Sequence, residues 1–202
     1  MFTPTFFKKA FTAIAVLGIA SFSASAQPAV PLKPGDIKIT KVTANILQTP
    51  QFNVSGDSKR VPSPASWVEI ETELDVAAEF VPEITLNYYV AINVSQTQVA
   101  LTGTVTHVNI TKGRGKYCSI YISPQSLFVL MQGRTPAVSN VDQVTVQITS
   151  QGVPIAEGQL NSSPPSGWWS TMRQQAGFLL KKTETPFAPL WWDRYEAIKP
   201  GV

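Results

Sequence analysis

Trp67-Val68-Glu69-Ile70-Glu71-Thr72-Glu73-Leu74-Asp75-Val76 decides the fold. Val68, Ile70, Thr72, Leu74 and Val76 fall on one side of this run, and Glu69, Glu71, Glu73 and Asp75 fall on the other. Successive side chains of a β-strand point to opposite faces. The alternation therefore predicts a half-buried strand whose second face, carrying the four acids, meets water.

The same period continues outward. Ile84 to Val94 puts Ile84, Leu86, Tyr88, Val90, Ile92 and Val94 on one face. A turn at 96–98 leads to a return strand with Val99, Leu101 and Val105 inward, after which the parity changes to Val108 and Ile110. A one-residue slip flips every later side chain, so a bulge is expected near Thr106-His107. The first strand, Ile37 to Leu47, shows a similar change at Thr40-Lys41, between Ile39 and Val42. Lys112-Gly113-Arg114-Gly115-Lys116 reads as a hairpin tip, because glycine adopts positive φ freely, and Tyr117 to Ile122 follows as a strand. Ser123-Pro124 is a helix start, with a hydroxyl cap and proline at the first position, and Gly133 is its stop. Val141 to Thr149 and Val153 to Leu160 complete the set around a Gln151-Gly152 turn.

Seven strands with short connections predict an all-β, immunoglobulin-like sandwich, although a single cysteine, Cys118, excludes the disulfide of an antibody domain. Residues 1–26 have the form of a signal peptide. Lys8 and Lys9 flank an apolar run, and Ala24-Ser25-Ala26 offers small residues before Gln27. Residues 27–36 are a proline-rich leader, 37–160 the sandwich, and 161–202 a linker, a helix over Trp168 to Lys182 and an extended aromatic tail. The chain is expected to be exported: periplasmic, outer-membrane-associated or secreted.

The 202 residues carry 16 Lys and Arg against 13 Asp and Glu. Without Lys8 and Lys9 the remainder is close to neutral, and nucleic acid, which needs a clustered cationic face, is excluded as a partner. No constellation reads as catalytic. His107 is the only histidine and sits mid-strand; a small hydrolase built on it is the alternative reading, and needs a nucleophile and an acid brought near by folding. One histidine and one cysteine are too few for zinc, and no cofactor motif is present. Cys118, between apolar neighbours, reads as a buried, inert thiol. Four Asn-x-Ser/Thr sequons, at Asn53, Asn93, Asn109 and Asn161, are weak evidence of glycosylation, since two lie in expected strands.

Binding residues are sought in two places. Lys112, Arg114 and Lys116 concentrate positive charge at the expected hairpin tip, where an anionic glycan or lipid headgroup could dock. The tail Thr185-Pro186-Phe187-Ala188-Pro189-Leu190-Trp191-Trp192-Asp193-Arg194-Tyr195 supplies Trp191, Trp192 and Tyr195, with Asp193 and Arg194 as an ion-pair candidate. Residues before proline favour extended geometry, so the tail is expected to be a stiff strap. It either seals the sandwich, with Trp191 and Trp192 buried, or docks on a partner; sealing is the expectation, given how rarely large apolar patches stay exposed. A membrane-interface anchor is a further alternative, and membrane contact is not favoured.

Residues 177–195, with Ser66-Trp67-Val68-Glu69, Tyr88-Tyr89 and Tyr121-Ile122-Ser123-Pro124, carry a resemblance. Together they resemble a small family of exported immunoglobulin-like proteins of Verrucomicrobia-type bacteria, one of whose members is encoded beside type IV pilus machinery in a mucin-associated gut bacterium. The resemblance implies an immunoglobulin-like fold, a pilus-associated or cell-surface role and no catalytic residues. The leader lacks the Gly-Phe-Thr-x-x-Glu junction of a type IV prepilin, so an accessory or assembly partner fits better than a pilus subunit. The expectation is a non-enzymatic binding or scaffolding protein with a protein partner in the envelope or pilus, and a host or mucin glycan surface as a further candidate.

Overall fold

The computed structural model describes residues 31–52, 63–94, 97–133, 137–160 and 165–201. The expected signal peptide, the start of the proline-rich leader, Asn53 and Asn161 lie outside the described residues. Among the described residues the strands are β1 (Ile37–Gln48), β2 (Ser66–Val94), β3 (Thr97–Ile122), β4 (Val141–Ser150), β5 (Val153–Leu160), β6 (Gln174–Ala176) and β7 (Leu179–Lys181), with one α-helix, α1 (Pro124–Leu130). The architecture is the expected all-β sandwich. Its seven strands are not the seven read from the sequence, however, because two pairs of expected strands are each one continuous strand.

β2 runs for 29 residues and β3 for 26, paired antiparallel along their length. Both pass from one layer to the other. The N-terminal part of β2 and the C-terminal part of β3 lie with β1 and β7. The remaining parts lie with β4, β5 and β6, in the order β5-β4-β2-β3-β6. The crossing is made where the ladder slips, between Leu74 and Val76 and again between Val76 and Phe80. At the first slip Asp75 on β2 faces Arg114 and Gly115 on β3, Gly115 takes φ 64°, and its N–H donates to Asp75 Oδ1 at 3.2 Å. The Lys112–Lys116 segment is thus a bulge inside β3 and not a hairpin tip. Glycine supplies the same positive φ in either setting, so the local sequence does not distinguish them.

The expected bulge at Thr40-Lys41 is present, with the register shifting between Ile39 and Lys41. The one expected at Thr106-His107 is not: the β2–β3 register runs unbroken from Phe80↔Thr111 to Val94↔Thr97. The parity change falls instead at Asn109, which adopts φ 58° opposite the segment containing Pro82. An asparagine in the left-handed region redirects the strand without adding a residue. The Gln151-Gly152 hairpin is confirmed, with both φ values positive at 50° and 81°, as a type I′ turn requires.

The inward faces of both layers form one apolar core. Val68, Ile70 and Leu74 of one layer join Leu86, Tyr88 and Val90 of the other, with Val144, Val146 and Ile148 from β4. The layers approach closely at two glycines: a Cβ on Gly158 would lie 2.3 Å from Ile39 Cγ2, and one on Gly103 would lie 2.7 Å from Leu179 Cβ. α1 closes one end. Ser123 Oγ accepts from the Ser126 N–H at 3.0 Å, Leu127 and Leu130 are buried, and Gly133 at φ 81° follows the stop. Cys118 is fully buried, and burial pushes its thiol pKa well up, which leaves it the inert thiol expected.

The expected helix over Trp168 to Lys182 does not form. A short 3₁₀ turn at Trp168–Thr171 is followed by β6, Gly177 at φ 84°, β7, and a second 3₁₀ turn at Lys182–Glu184. β3 offers an unpaired edge here, and 174–176 and 179–181 satisfy it in parallel and antiparallel fashion respectively. Sheet pairing overrides a weak helical period that Gly177 already interrupts.

Candidate functional site

A row of acids and the C-terminal tail meet on the outer face of the first layer. β1, β2 and β3 present Asn45, then Glu69, Glu71 and Glu73, then Tyr117, Ser119 and Tyr121. The C-terminal tail lies over this face. The acid row is therefore not the solvated surface expected: Glu69 is buried and Glu71 half-buried.

Tyr195 reaches the acids from above. Its hydroxyl is 2.7 Å from Glu71 Oε2 and 3.1 Å from Glu69 Oε1. Glu69 also accepts from the Tyr121 hydroxyl at 2.7 Å and from Asn45 Nδ2 at 3.2 Å. Burial, and then the carboxylate of Glu71, hold the Tyr195 phenol well above its ordinary pKa; burial and the charge of Glu69 do the same for Tyr121. Both phenols thus remain hydrogen-bond donors. Arg194 pairs with Glu71 rather than with its neighbour Asp193, and its guanidinium lies 3.7 Å from the centroid of the Tyr117 ring. Its already high pKa rises further through the hydrogen bonds to Glu71. Beside this clamp, an open polar depression of about 240 Å³ is lined by Lys41, Thr43, Asn45, Glu71, Glu73, Tyr117 and Arg194.

Phe187 anchors the other end of the tail. It is 1% exposed, stacks on Tyr121 at 5.1 Å and meets Trp67 edge-on at 5.6 Å. Thr185 precedes Pro186 in extended geometry, as its position dictates, but the segment beyond is not an extended strap. Ala188 N–H bonds Thr185 O, Leu190 N–H bonds Phe187 O, and Arg194 N–H bonds Trp191 O, a run of tight turns. Lys182 ties these turns together. Its ammonium donates to Ala188 O at 3.0 Å and Leu190 O at 2.6 Å, and burial lowers its pKa. The last residues cross the open side of β3: Glu196 N–H bonds Tyr117 O, Val108 N–H bonds Ala197 O, and Lys199 N–H bonds Thr106 O.

The sequence-derived binding residues divide. Tyr195 is drawn into the fold. Trp191 stacks on Phe187 at 6.2 Å yet stays 49% exposed, and Trp192 is 76% exposed. The tail seals the face, but with Phe187 and Tyr195 as the seal; the two tryptophans expected to be buried point outward. Trp191 also adopts φ 52°, a left-handed conformation costly for a bulky residue. The cationic trio is scattered: Lys112 pairs with Glu79, Lys116 with Glu196, and Arg114 is exposed. Sequence reading missed Phe187, Lys182 and the Glu69–Tyr121 pair. Only the alternation of Glu69 and Tyr121 onto the outer faces of β2 and β3 could have linked them.

His107 is buried beneath residues 196–198. Its Nδ1 lies 3.1 Å from Glu196 O, its Nε2 has no hydrogen-bond partner among the described residues, and burial lowers its pKa to about 4. Among the described residues no group of histidine, cysteine and acidic side chains is arranged to hold a metal ion, and no helix is long and apolar enough to cross a membrane.

A second aromatic cover lies on the outer face of the other layer. Trp168 sits on Ala91 and Ala100 with its indole N–H on Thr145 Oγ1 at 2.9 Å, and Trp169 stacks on Tyr89 at 4.1 Å. Fold and cover together define an all-β sandwich sealed on both outer faces by aromatic residues from its C-terminal segment. A protein-family model, named for an Akkermansia member, matches residues 29–201, and the chain belongs to that family. It is also similar to a crystal structure of a protein from Akkermansia muciniphila, with a TM-score of 0.72 and 23% identity over 82% of this chain and 94% of that one. At that identity the likeness shows the fold alone. No curated protein matches the chain.

Proposed function

We propose that the protein is a non-enzymatic binding or scaffolding component of the cell envelope, exported and associated with a pilus in an assembly, accessory or adhesive role. The observation that carries this reading is the split within the tail. Phe187, Tyr195 and Lys182 fix the tail to the sandwich, while Trp191 and Trp192 are held outward on that fixed base. Exposed tryptophan on a rigid support is the residue type that most often anchors a protein partner, and a left-handed Trp191 is a strained conformation of the kind that clusters at functional sites. The resemblance of residues 177–195 to exported pilus-associated proteins supports the pilus setting.

Capture of the protein from its own cell envelope tests the reading. Pilus components recovered with the wild type and lost with Trp191→Ala/Trp192→Ala support it. Hydrolysis of mucin glycans, peptides or esters at an ordinary enzymatic rate contradicts it. The same exposure favours one second reading, contact with a membrane interface, where tryptophan is enriched. Flotation with liposomes that disappears in the double variant would distinguish it.

A further inference from the structure

Beside Trp192 the tail forms a small, half-open pocket of about 120 Å³, lined by Lys182, Ala188, Trp192, Tyr195, Ala197 and Ile198 among others. It is smaller than the 150 Å³ cavity that accepts benzene, so it takes a group of about the size of one branched aliphatic side chain. Its lining is chiefly apolar, and it contains one unusual charge. Lys182 is only 5% exposed. Its ammonium lies against this cavity, because its acceptor Ala188 and the Tyr195 ring 5.4 Å from it both form walls.

An ammonium carries three donors. Two are used, on Ala188 O and Leu190 O; the third has no partner among the described residues. No carboxylate of the described residues lies within ion-pair distance of Lys182. The charge of Glu69 acts on it through space, and that carboxylate is engaged by Tyr121, Tyr195 and Asn45. Glu196 also lines the cavity, with its carboxylate held by Lys116 at 3.2 Å. A desolvated cation with a free donor, at the side of an apolar cavity, is complementary to an anion attached to an apolar body.

We propose that this cavity captures the C-terminal residue of a partner polypeptide. An aliphatic last side chain fills the space between Trp192, Ala197 and Ile198, and the terminal carboxylate takes the third donor of Lys182. Capture of a chain-terminal carboxylate is an established recognition mode, and a charge-assisted hydrogen bond is about twice as strong as a neutral one. This inference rests on reading Trp192 as a contact residue. It adds the chemistry of what is contacted.

The test titrates the full chain, isotope-labelled, with N-acetyl-leucine, with N-acetyl-leucinamide, and with a short peptide ending in leucine, following the Trp192 indole resonance. The expected result is saturable binding of the acid and of the peptide, with the amide about tenfold or more weaker because it lacks the charge. Ala197→Phe, which fills the cavity from an exposed position, is expected to abolish both without changing the melting temperature. Equal binding of acid and amide overturns the proposal, as does acid binding without peptide binding, or no binding into the tens of millimolar. If Ala197→Phe still captures its envelope partner while Trp192→Ala does not, the cavity proposal fails and the contact surface stands.

Discussion

Arg194 lays its Nε (3.2 Å) and Nη2 (2.8 Å) on the carboxylate of Glu71, 123 positions earlier in the chain. The two parallel bonds fix the end of the tail to the middle of β2 in one orientation. Arg194 is 43% exposed, so solvent screens the pair and its contribution is expected to be modest, about 1 kcal/mol. Arg194→Ala should lower the unfolding free energy measured in urea by that amount. Arg194→Lys should recover little of it, since lysine cannot make the paired geometry or lie flat on Tyr117. Full recovery by lysine would show that only charge matters.

Gly158 has no room for a side chain, because a Cβ would lie 2.3 Å from Ile39 Cγ2. Gly158→Ala should therefore destabilise by about 1–3 kcal/mol, as overpacking does. In the Ile39→Ala background the same substitution should cost much less. A double-mutant cycle by chemical denaturation measures the difference, and an additive cycle would mean that the layers do not meet there.

His107 gives the fold a pH dependence with a definite sign. Its folded pKa, about 4, lies below the ordinary 6.5, so the folded state disfavours the charged ring. The associated stability is fully present above pH 6.5 and is lost as pH falls toward 4. The shift corresponds to about 3 kcal/mol at 1.36 kcal/mol per pKa unit. The group that meets the ring is backbone, the carbonyl of Glu196. Stability measured from pH 7 to pH 4 should fall more steeply in the wild type than in His107→Gln, and parallel curves would contradict the assignment.

Much of this architecture is legible in the alternation of Val68 to Val76 and Ile84 to Ile92, because period 2 depends only on which face is wet. The bulge at Thr40-Lys41 and the Gln151-Gly152 turn are legible for the same local reason. What the sequence does not show is whether a glycine pair reverses the chain or bends it: Gly113 and Gly115 serve a bulge within β3, where a hairpin tip would look alike. The Trp168–Lys182 segment follows the edge of β3, a partner far away in sequence. The acid row is harder still. Glu69 and Glu71 read as solvated until Tyr195 and Arg194 arrive from more than a hundred positions later, and a one-dimensional pattern contains no trace of that meeting. In the tail, ring size favours Trp191 and Trp192 over Phe187 as the seal, but the turns after Thr185 bury the phenylalanine and turn the tryptophans out.

The account therefore stands on a contrast between two residues five positions apart, and calorimetric melting of two single variants measures it directly. Phe187→Ala removes a ring packed between Trp67 and Tyr121 and should cost about 3–5 kcal/mol, a fall of several degrees or more in Tm. Trp192→Ala removes an exposed ring and should stay within about 0.5 kcal/mol of the wild type. A Tm unchanged by Phe187→Ala, or lowered as much by Trp192→Ala, would contradict a tail sealed by Phe187 that keeps Trp192 free for contact.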